Sequence, residues 1–427
     1  MRYYSTNGKA PLASLETAVV EGLAPDRGLY MPERINHVQG AEGGSLHETA
    51  CRVAEAYFGE DIPEAELRAM VTDTLSFPIP LVRVKDNVYS LELFHGPTLA
   101  FKDVGARFMA RMLRHFRRSE EVNVLVATSG DTGSAVANGF LGVEGIRVHV
   151  LYPKGKVSKI QESQFTTLGQ NVTALEVDGT FDDCQALVKQ AFMDDELKAS
   201  LSLTSANSIN VARLLPQSFY YFHALSQLRR LTDKEAVVSV PSGNFGNLTS
   251  GLFGGRMGLP VKRFIAANNR NDVFLEYLQT GQYRPRPSLQ TLANAMDVGD
   301  PSNFARILAL YGNSHKAITQ DISGAAYSDE QISETMRQCY DETGYLLDPH
   351  GACGYRALCE GLRDGEAGIF LETAHPAKFL TVVEERVPRA KVDLPERLQA
   401  FMRGRKQTVP MSRRYDDLRE YLKRCRN

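Results

Sequence analysis

Strand-like and helix-like segments alternate through most of this chain. Each short apolar run is followed by a turn and then by a stretch with apolar residues at helical spacing. Strands that alternate with helices imply βαβ units and a mostly parallel sheet, so the sequence predicts an α/β protein. The predicted strands lie at residues 88–94, 122–127, 148–152, 172–177, 236–240, 264–267 and 368–371. The predicted helices include residues 45–58, 63–75, 181–193, 208–228, 303–310, 329–340, 353–362 and 416–424.

Three units are predicted along the chain. Residues 1–87 have a turn-rich opening followed by two helical patterns, and are expected to form a separate, mainly helical N-terminal unit. Residues 119–200 are expected to form a small mobile domain. Residues 88–118 and 201–427 are expected to form a larger domain.

Composition narrows the classes of partner. The net charge of −2 gives no electrostatic argument for binding nucleic acid or an anionic membrane, and no run of eighteen apolar residues occurs. Six cysteines are scattered without CxxC spacing, which argues against a zinc site or a disulfide scaffold and fits a reducing cytoplasm. We therefore expect a cytoplasmic protein that acts on a small molecule, with no metal, nucleic-acid or membrane partner.

Lys102 is the first candidate for chemistry. It follows the apolar residues Leu99-Ala100-Phe101 and precedes a helix predicted to begin at Asp103. A helix N-terminus repels a cation, and apolar surroundings disfavour the charged form of lysine, so both effects lower the pKa of this amine. A lysine with a free amine can form a Schiff base with an aldehyde. The alternative is a surface lysine without a chemical role.

Ser242-Gly-Asn-Phe-Gly-Asn247 lies between a predicted apolar strand and a predicted helix. Glycines let backbone N–H groups approach an anion closely, and the N-terminus of the helix adds a positive dipole end. The segment therefore suits a phosphate, although an ordinary strand-to-helix turn would look similar. It matches neither a Walker loop nor GxGxxG, so neither ATP nor NAD is indicated.

A second loop of this kind is Ala127-Thr-Ser-Gly-Asp-Thr-Gly-Ser134. The hydroxyls of Thr128, Ser129 and Thr132, together with backbone donors, suit a carboxylate. Asp131 is unusual in an anion site. It is expected either to cap the helix or to orient a polar group of the ligand.

Two further segments carry polar side chains next to predicted strands or helices. Thr373 follows a late strand and could hydrogen-bond a ring nitrogen, whereas His375 before Pro376 is expected to be structural. A cluster at the start of a helix could bind a second phosphate, with Arg213 as a bidentate donor. N-capping and an ordinary ion pair of Arg213 are the alternatives. The candidates in and near this cluster are Asn207, Ser208, Asn210, Arg213 and Lys154.

Taken together, these segments resemble the threonine synthases, a family of fold type II pyridoxal phosphate enzymes. The resemblance spans nearly the whole chain. The motifs that carry it are Tyr3-Tyr-Ser-Thr, Asp26-Arg-Gly-Leu-Tyr30, His95-Gly-Pro-Thr-Leu-Ala-Phe-Lys-Asp103, Ala127-Thr-Ser-Gly-Asp-Thr-Gly133, Asn207-Ser-Ile-Asn210, Pro241-Ser-Gly-Asn-Phe-Gly-Asn247 and Glu372-Thr-Ala-His-Pro376.

The resemblance implies two open, mostly parallel βα domains with pyridoxal 5'-phosphate between them, plus the N-terminal unit. It implies conversion of O-phospho-L-homoserine and water to L-threonine and phosphate, with Lys102 as Schiff-base lysine and general base. Thr373 would face the pyridine nitrogen. The cofactor phosphate would be bound by Gly243, Asn244, Phe245 and Asn247, with Ser242 close by. The substrate carboxylate and the cofactor hydroxyl would meet Thr128, Ser129, Asp131 and Thr132. The substrate phosphate would meet Asn207, Ser208, Asn210, Arg213 and Lys154.

Two alternatives share the same cofactor residues. A phospho-lyase on the same substrate would release 2-oxobutyrate, ammonia and phosphate. A non-catalytic pyridoxal phosphate-binding protein would need no substrate-facing residues. The expected assembly is a monomer or a homodimer.

Overall fold

The computed structural model describes residues 1–38, 43–117 and 121–425. Within them no helix is both long and apolar enough to cross a membrane. The predicted domain boundary between residues 118 and 119 lies outside the described residues. The strands are β1 (Arg2–Ser5), β2 (Ala13–Ser14), β3 (Tyr30–Pro32), β4 (Leu81–Lys85), β5 (Val88–Glu92), β6 (Val122–Ala127), β7 (Ile146–Pro153), β8 (Val172–Val177), β9 (Ser202–Ser205), β10 (Glu235–Pro241), β11 (Val261–Asn268), β12 (Ile322–Ala326), β13 (Glu366–Glu372) and β14 (Val409–Met411).

Helices surround these strands, and short 3-10 helices occur at Leu215–Gln217, Asn294–Met296 and Pro376–Phe379. The α-helices are α1 (Leu15–Glu21), α2 (Leu46–Phe58), α3 (Glu64–Thr74), α4 (Lys102–Phe116), α5 (Asp131–Gly139), α6 (Lys159–Thr166), α7 (Phe181–Met193), α8 (Asp195–Ser200), α9 (Val211–Leu214), α10 (Ser218–Arg229), α11 (Gly246–Arg256), α12 (Val273–Thr280), α13 (Phe304–Leu310), α14 (His315–Asp321), α15 (Asp329–Thr343), α16 (Pro349–Gly361), α17 (Leu380–Arg386), α18 (Glu396–Arg403) and α19 (Tyr415–Arg424).

The N-terminal unit contains helices α2 and α3, as predicted, and also a small sheet that the sequence did not indicate. Strands β1, β2 and β3 form an antiparallel sheet in the order β2-β1-β3. Each has only two to four residues, which is too short for an alternating pattern to be visible. Helix α2 packs on the rest of the protein through Phe58, whose ring stacks on Phe108 of α4 at 5.5 Å.

A six-stranded sheet forms the centre of the larger domain, in the order β12-β11-β10-β13-β5-β4. All its neighbours are parallel except the edge pair β4 and β5. The central strands β10 and β13 are buried almost throughout, as expected for a parallel sheet with helices on both faces. Their carboxyl ends deliver Pro241 and Glu372 to the same edge of the sheet.

A five-stranded, wholly parallel sheet lies beside it, in the order β14-β8-β7-β6-β9. The division predicted from sequence assigned residues 201–427 to the larger domain, but strand pairing assigns two strands of that range to this sheet. Strand β9 pairs with β6, and the C-terminal strand β14 pairs with β8. Such long-range pairing leaves no mark in a local pattern, so the sequence could not reveal it.

The long helix predicted at 208–228 is wrong in detail. The chain forms the short helix α9, a 3-10 turn at Leu215–Gln217 and then α10. Pro216 lies in this turn, and proline lacks the N–H that a continuous helix needs.

Candidate active site

A cavity of about 730 Å³ lies where the carboxyl ends of both sheets meet. Its walls include the loop after β6, the loop after β10, the start of α4 and the end of β13, and residues 286–302 form much of the remaining lining. Ligands of open α/β sheets lie at such edges. The predicted site residues in its lining are Lys102, Thr128, Ser129, Asp131, Thr132, Asn207, Ser208, Arg213, Gly243, Asn244, Phe245, Asn247 and Thr373.

Lys102 is the first residue of α4 and lines this cavity. Its amine lies 5.1 Å from the centre of the Phe101 ring, and it has no hydrogen-bond or ion-pair partner in the part of the chain that the structure describes. Burial lowers the pKa of Lys102 to about 8; the Asp131 carboxylate opposes this shift, and Arg213 reinforces it. The predicted direction is confirmed, and burial is its largest cause.

The loop after β10 presents an uncharged cradle of donors. None of the backbone N–H groups of residues 243–247 meets an acceptor among the described residues. Phe245 adopts a left-handed conformation, with φ of 60°, as the chain enters α11. At Gly243 an added Cβ would lie 2.6 Å from the Cα of Met296, so a side chain would collide with the opposite wall. Free N–H groups at a helix N-terminus are what a phosphate requires.

Asn247 adds a side-chain donor to this cradle. Its Oδ1 accepts hydrogen bonds from the hydroxyls of Tyr220 and Tyr221, at 2.7 and 2.9 Å. Its Nδ2 is buried and has no partner among the described residues, and the residue lines the cavity. Buried polar groups are normally hydrogen-bonded, so an unpartnered amide at this position indicates a ligand.

In the loop after β6, some of the hydrogen-bonding groups bond to one another and are not available to a ligand. The Oγ1 of Thr128 accepts from the N–H groups of Gly130 and Gly133, at 2.9 and 2.8 Å. Thr128 therefore stabilises the loop, whereas Ser129 and Thr132 line the cavity and their hydroxyls form no hydrogen bond with other described residues. The latter two hydroxyls are the available donors on this wall.

Asp131 is the first residue of α5, and its side chain does not cap that helix. Its Oδ1 lies 2.7 Å from the Nζ of Lys378 and accepts a hydrogen bond of 2.9 Å from Nε2 of Gln161. Burial raises the pKa of Asp131, but Lys378 and Lys102 together outweigh this and hold the pKa well below its ordinary value. The carboxylate is therefore ionised and paired at neutral pH.

Arg213 offers a cation in the wall of the cavity. Its side chain is buried and donates to the carbonyl oxygen of Ala206, and it has no ion pair with a carboxylate among the described residues. Burial lowers its pKa to about 10, which leaves it charged at neutral pH. A buried guanidinium without a carboxylate favours an anionic ligand. Ser208 beside it accepts from Nδ2 of Asn244 at 2.9 Å, which links this wall to the phosphate cradle.

Thr373 lies at the end of β13 and lines the cavity. Its carbonyl oxygen accepts from the N–H of Phe101 at 2.9 Å, which fixes its position beside Lys102. The preceding residue, Glu372, is buried, and burial raises its pKa well above the ordinary value. His375 is structural, as expected, because its Nδ1 accepts from the N–H of Ala377 at 3.1 Å.

Three of the predicted residues lie outside the cavity lining. Ser242 is buried and its hydroxyl donates to the carbonyl oxygen of Val240 at 2.8 Å. Asn210 caps α9 and donates to the carbonyl oxygen of Val19 at 2.9 Å. Lys154 is exposed on the outer side of the loop after β7, and Lys156 lines the cavity in its place. A two-residue shift in an irregular loop is invisible in the sequence.

Other residues that position the site carried no sequence signal. Lys378 and Gln161 hold Asp131, as described above. Asn303 donates to the carbonyl oxygen of Asn244 and to the hydroxyl of Ser208, at 3.0 and 3.1 Å. His350 lines the cavity, with its Nδ1 2.5 Å from a carboxylate oxygen of Asp348. The contacts of Lys378, Gln161 and Asn303 join elements far apart in the chain, so only the fold reveals them.

The site fits the pyridoxal phosphate expected from the resemblance. A buried amine of lowered pKa can react with an aldehyde, and the cradle at residues 243–247 can bind a phosphate. The orphaned amide of Asn247 gives this cradle a further donor. The described residues include no group of three or more histidine, cysteine, aspartate or glutamate side chains able to hold a metal ion.

Comparisons with known proteins agree with this geometry. Residues 2–75 match the family model "Threonine synthase N terminus", residues 74–371 match "Pyridoxal-phosphate dependent enzyme" and residues 351–422 match "Threonine synthase, C-terminal". Threonine synthase from Serratia marcescens is 45% identical, over 99% of each chain. A crystal structure of threonine synthase from Escherichia coli superposes with a TM-score of 0.93 at 43% identity, over 100% of both chains. A pyridoxal-phosphate-bound threonine synthase from Brucella melitensis gives a TM-score of 0.93 at 35% identity, over 99% of each chain.

Proposed function

The chain belongs to the threonine synthase family of pyridoxal-phosphate-dependent enzymes, and we propose that it converts O-phospho-L-homoserine and water to L-threonine and phosphate. One observation carries the proposal. One cavity contains a buried amine of lowered pKa together with two groups that have no partner within the described residues: the N–H groups of the cradle, which meet no acceptor, and the guanidinium of Arg213, which pairs with no carboxylate. The first two suit the cofactor, and the third suits a phosphorylated substrate.

Pyridoxal phosphate would be bound along the floor of this cavity. Its phosphate would lie against the N–H groups of residues 243–247 and the amide of Asn247, and Thr373 would face its ring nitrogen. When bound, it supplies an electron sink that stabilises negative charge at the substrate carbon. Asp131 and Thr373 line the same cavity as Lys102, so both would lie near the cofactor ring.

Lys102 would first bind the aldehyde and later move a proton. Once the substrate amine displaces it, its free amine removes the proton from Cα as general base. A pKa of about 8 leaves far more free amine at neutral pH than the ordinary lysine value of 10.5 would. The same amine can return a proton at a later step, because it stays within the cavity.

The substrate would be held at both ends. Ser129, Thr132 and the N-terminus of α5 would bind its carboxylate, since these donors line one wall. Arg213, with Asn207 and Ser208, would bind its phosphate on another wall. Holding both anions fixes the Cα–H bond relative to Lys102.

Closure would exclude stray water from the reacting atoms. The cavity has one wall from each sheet, so a small movement of the five-stranded sheet would narrow it. We propose residues 119–200 as the centre of the mobile domain, extended by strands β9 and β14. The cytoplasmic location and the monomeric or dimeric state expected from the sequence stay predictions.

Product analysis tests this function. Purified full-length protein loaded with pyridoxal phosphate is mixed with O-phospho-L-homoserine, and threonine, 2-oxobutyrate and phosphate are measured together. We expect threonine and phosphate in equal amounts. The Lys102→Ala variant is expected to form no threonine, whereas Lys406→Met, which removes an exposed ion-paired lysine, is expected to retain turnover.

Other outcomes would replace the proposal with one of its rivals. Phosphate together with 2-oxobutyrate and no threonine would make the protein a phospho-lyase. Bound cofactor without phosphate release would leave a non-catalytic binding protein or a different substrate. Threonine formation by Lys102→Ala would contradict the role of that lysine.

A further inference from the structure

A second buried lysine lies close behind the cavity wall. Lys378 belongs to the 3-10 helix that follows β13, and only 1% of its surface is exposed. Its Nζ lies 2.7 Å from Oδ1 of Asp131 and donates to the carbonyl oxygen of Thr98, also at 2.7 Å. Lys378 does not line the cavity, in contrast to Lys102.

The ion pair joins the two sheets. Asp131 begins α5, on the five-stranded sheet, whereas Lys378 follows the central strand β13 of the six-stranded sheet. The same Thr98 carbonyl oxygen accepts a hydrogen bond of 3.0 Å from Nε2 of Gln164 in α6. Lys378 is thus held by fixed acceptors from both sides, and its ammonium has little freedom to move.

Two lysines compete for one buried carboxylate. A buried carboxylate is costly unless it is paired, so Asp131 needs a cation. Lys378 supplies this cation in direct contact with Asp131. Lys102 interacts with Asp131 only through a longer-range electrostatic attraction. Without Lys378, the ammonium form of Lys102 would be the nearest replacement.

We propose that Lys378 is a positioning residue that supplies the counter-charge of Asp131 and so keeps the amine of Lys102 unpaired and able to react with the cofactor aldehyde. The inference deepens the function proposed above and rests on the role given there to Lys102. Under this proposal, the charge that balances Asp131 comes from Lys378 of the same chain and not from the ligand.

The charges around Lys102 are consistent with this assignment. Burial lowers the pKa of Lys102, Asp131 raises it, Arg213 and Lys378 lower it, and Asp348 raises it. Lys378 acts in two ways. Its own charge disfavours the ammonium form of Lys102, and its contact with Asp131 occupies the carboxylate that raises the pKa of Lys102 most strongly.

The test measures the titration of Lys102 directly in the full-length protein after removal of the cofactor. Trace acetylation at a series of pH values, followed by mass spectrometry of the Lys102 peptide, gives the pKa of its amine. Lys378→Met is expected to raise this pKa by roughly one unit, the size typical of a nearby charge. Asp131→Asn is expected to lower it by a similar amount, and the double variant is expected to return it to the parent value.

Lys262→Met is the matched control. Lys262 also forms ion pairs with two carboxylates, Glu235 and Glu366, but it lies outside the cavity lining. Its loss is expected to leave the titration of Lys102 unchanged. If Lys378→Met does not fold, the opposite shift in Asp131→Asn and its reversal in the double variant still test the inference.

Distinct results overturn the inference and the proposed function. Shifts of the same sign in both single variants, or no shift in either, would show that Lys378 has only a structural role. Such a result would leave the proposed function intact as long as Lys102 still carries the cofactor. Attachment of the cofactor to another lysine in the parent protein would instead contradict the proposed function.

Discussion

Two loops of this protein begin alike and differ in what they offer a ligand. The loop after β6 and the loop after β10 each leave a buried parallel strand, turn at glycine and enter a helix at the cavity. The loop after β10 is uncharged, and its N–H groups at residues 243–247 have no acceptor among the described residues. The loop after β6 gives two N–H groups to Thr128 and contains a carboxylate paired with Lys378.

The difference shows that a strand-to-helix turn is not by itself a phosphate site. What matters is which donors the loop leaves unbonded and what charge it carries. An uncharged cradle with free donors suits a dianion such as a phosphate, whereas a loop with a built-in ion pair suits a ligand that is less charged. Variants of the two loops should therefore change different binding constants.

The largest effect is expected from closing the cradle after β10. Gly243→Ala would place a Cβ 2.6 Å from the Cα of Met296, against backbone that cannot move away. We expect the Kd for pyridoxal phosphate to rise about 100-fold, since overpacking costs roughly 1–3 kcal/mol. Spectroscopic titration of the cofactor measures it. Gly255→Ala in α11, where an added Cβ meets nothing within 4 Å, is the control. An unchanged Kd in Gly243→Ala would show that the phosphate binds elsewhere.

The second-largest effect distinguishes the binding site of the substrate phosphate from that of the cofactor phosphate. Arg213→Met removes the guanidinium that has no carboxylate partner among the described residues. We expect KM for the phosphorylated substrate to rise about 10- to 100-fold, since hydrogen bonds to charged groups contribute roughly 1.5–3 kcal/mol. The Kd for the cofactor should stay the same. A weakened cofactor with an unchanged KM would place the cofactor phosphate at Arg213 and reverse the assignment.

A smaller effect is expected in the loop after β6. Thr132→Val keeps the shape of the side chain and removes its hydroxyl from the cavity. We expect KM to rise about 3- to 10-fold with no change in cofactor Kd, because one hydrogen bond contributes roughly 0.5–1.5 kcal/mol. Steady-state kinetics and cofactor titration on the same preparation measure both constants. If only the cofactor Kd changed, the loop after β6 would bind the cofactor rather than the substrate, and the two loops would not differ in their ligand.

The smallest effect is expected from removing a hydrogen bond that holds the Asn247 side chain in the cradle after β10. Tyr221→Phe removes a 2.9 Å hydrogen bond to Oδ1 of Asn247. We expect about a threefold rise in cofactor Kd, near the lower end of the roughly 0.5–1.5 kcal/mol of one hydrogen bond. Tyr57→Phe is a close control, because its hydroxyl is buried but forms no hydrogen bond with Asn247 in the described structure, and its ring also packs on α11, against Phe253. Equal effects of the two variants would show that Tyr221 acts only through packing.

The local sequence pattern was sufficient to predict several of the strands and helices, including the strand that precedes the loop after β6. Strands 122–127 and 172–177 and the helix 181–193 agree with the structure at both ends, because their apolar spacing is long and regular. Both glycine loops and the position of Lys102 at the start of a helix were also visible. The lowered pKa of Lys102 followed from its apolar neighbours.

Contacts between distant parts of the chain could not be predicted in this way. The ion pair between Asp131 and Lys378 joins residues 247 positions apart, and no local spacing relates them. The same holds for strand β14, which pairs with β8 only after the chain has crossed from one sheet to the other. Pro216 could have indicated the break between α9 and α10, but a continuous apolar pattern hid it.

The attachment site of the cofactor tests the central claim most directly. Full-length protein is loaded with pyridoxal phosphate, the imine is reduced with borohydride, and peptides are identified by mass spectrometry. We predict the added mass on Lys102 alone, because its amine lines the cavity and has no hydrogen-bond or ion-pair partner among the described residues, whereas the amine of Lys378 is held by Asp131. Cofactor mass on Lys378, or on any lysine outside the cavity, would contradict the account.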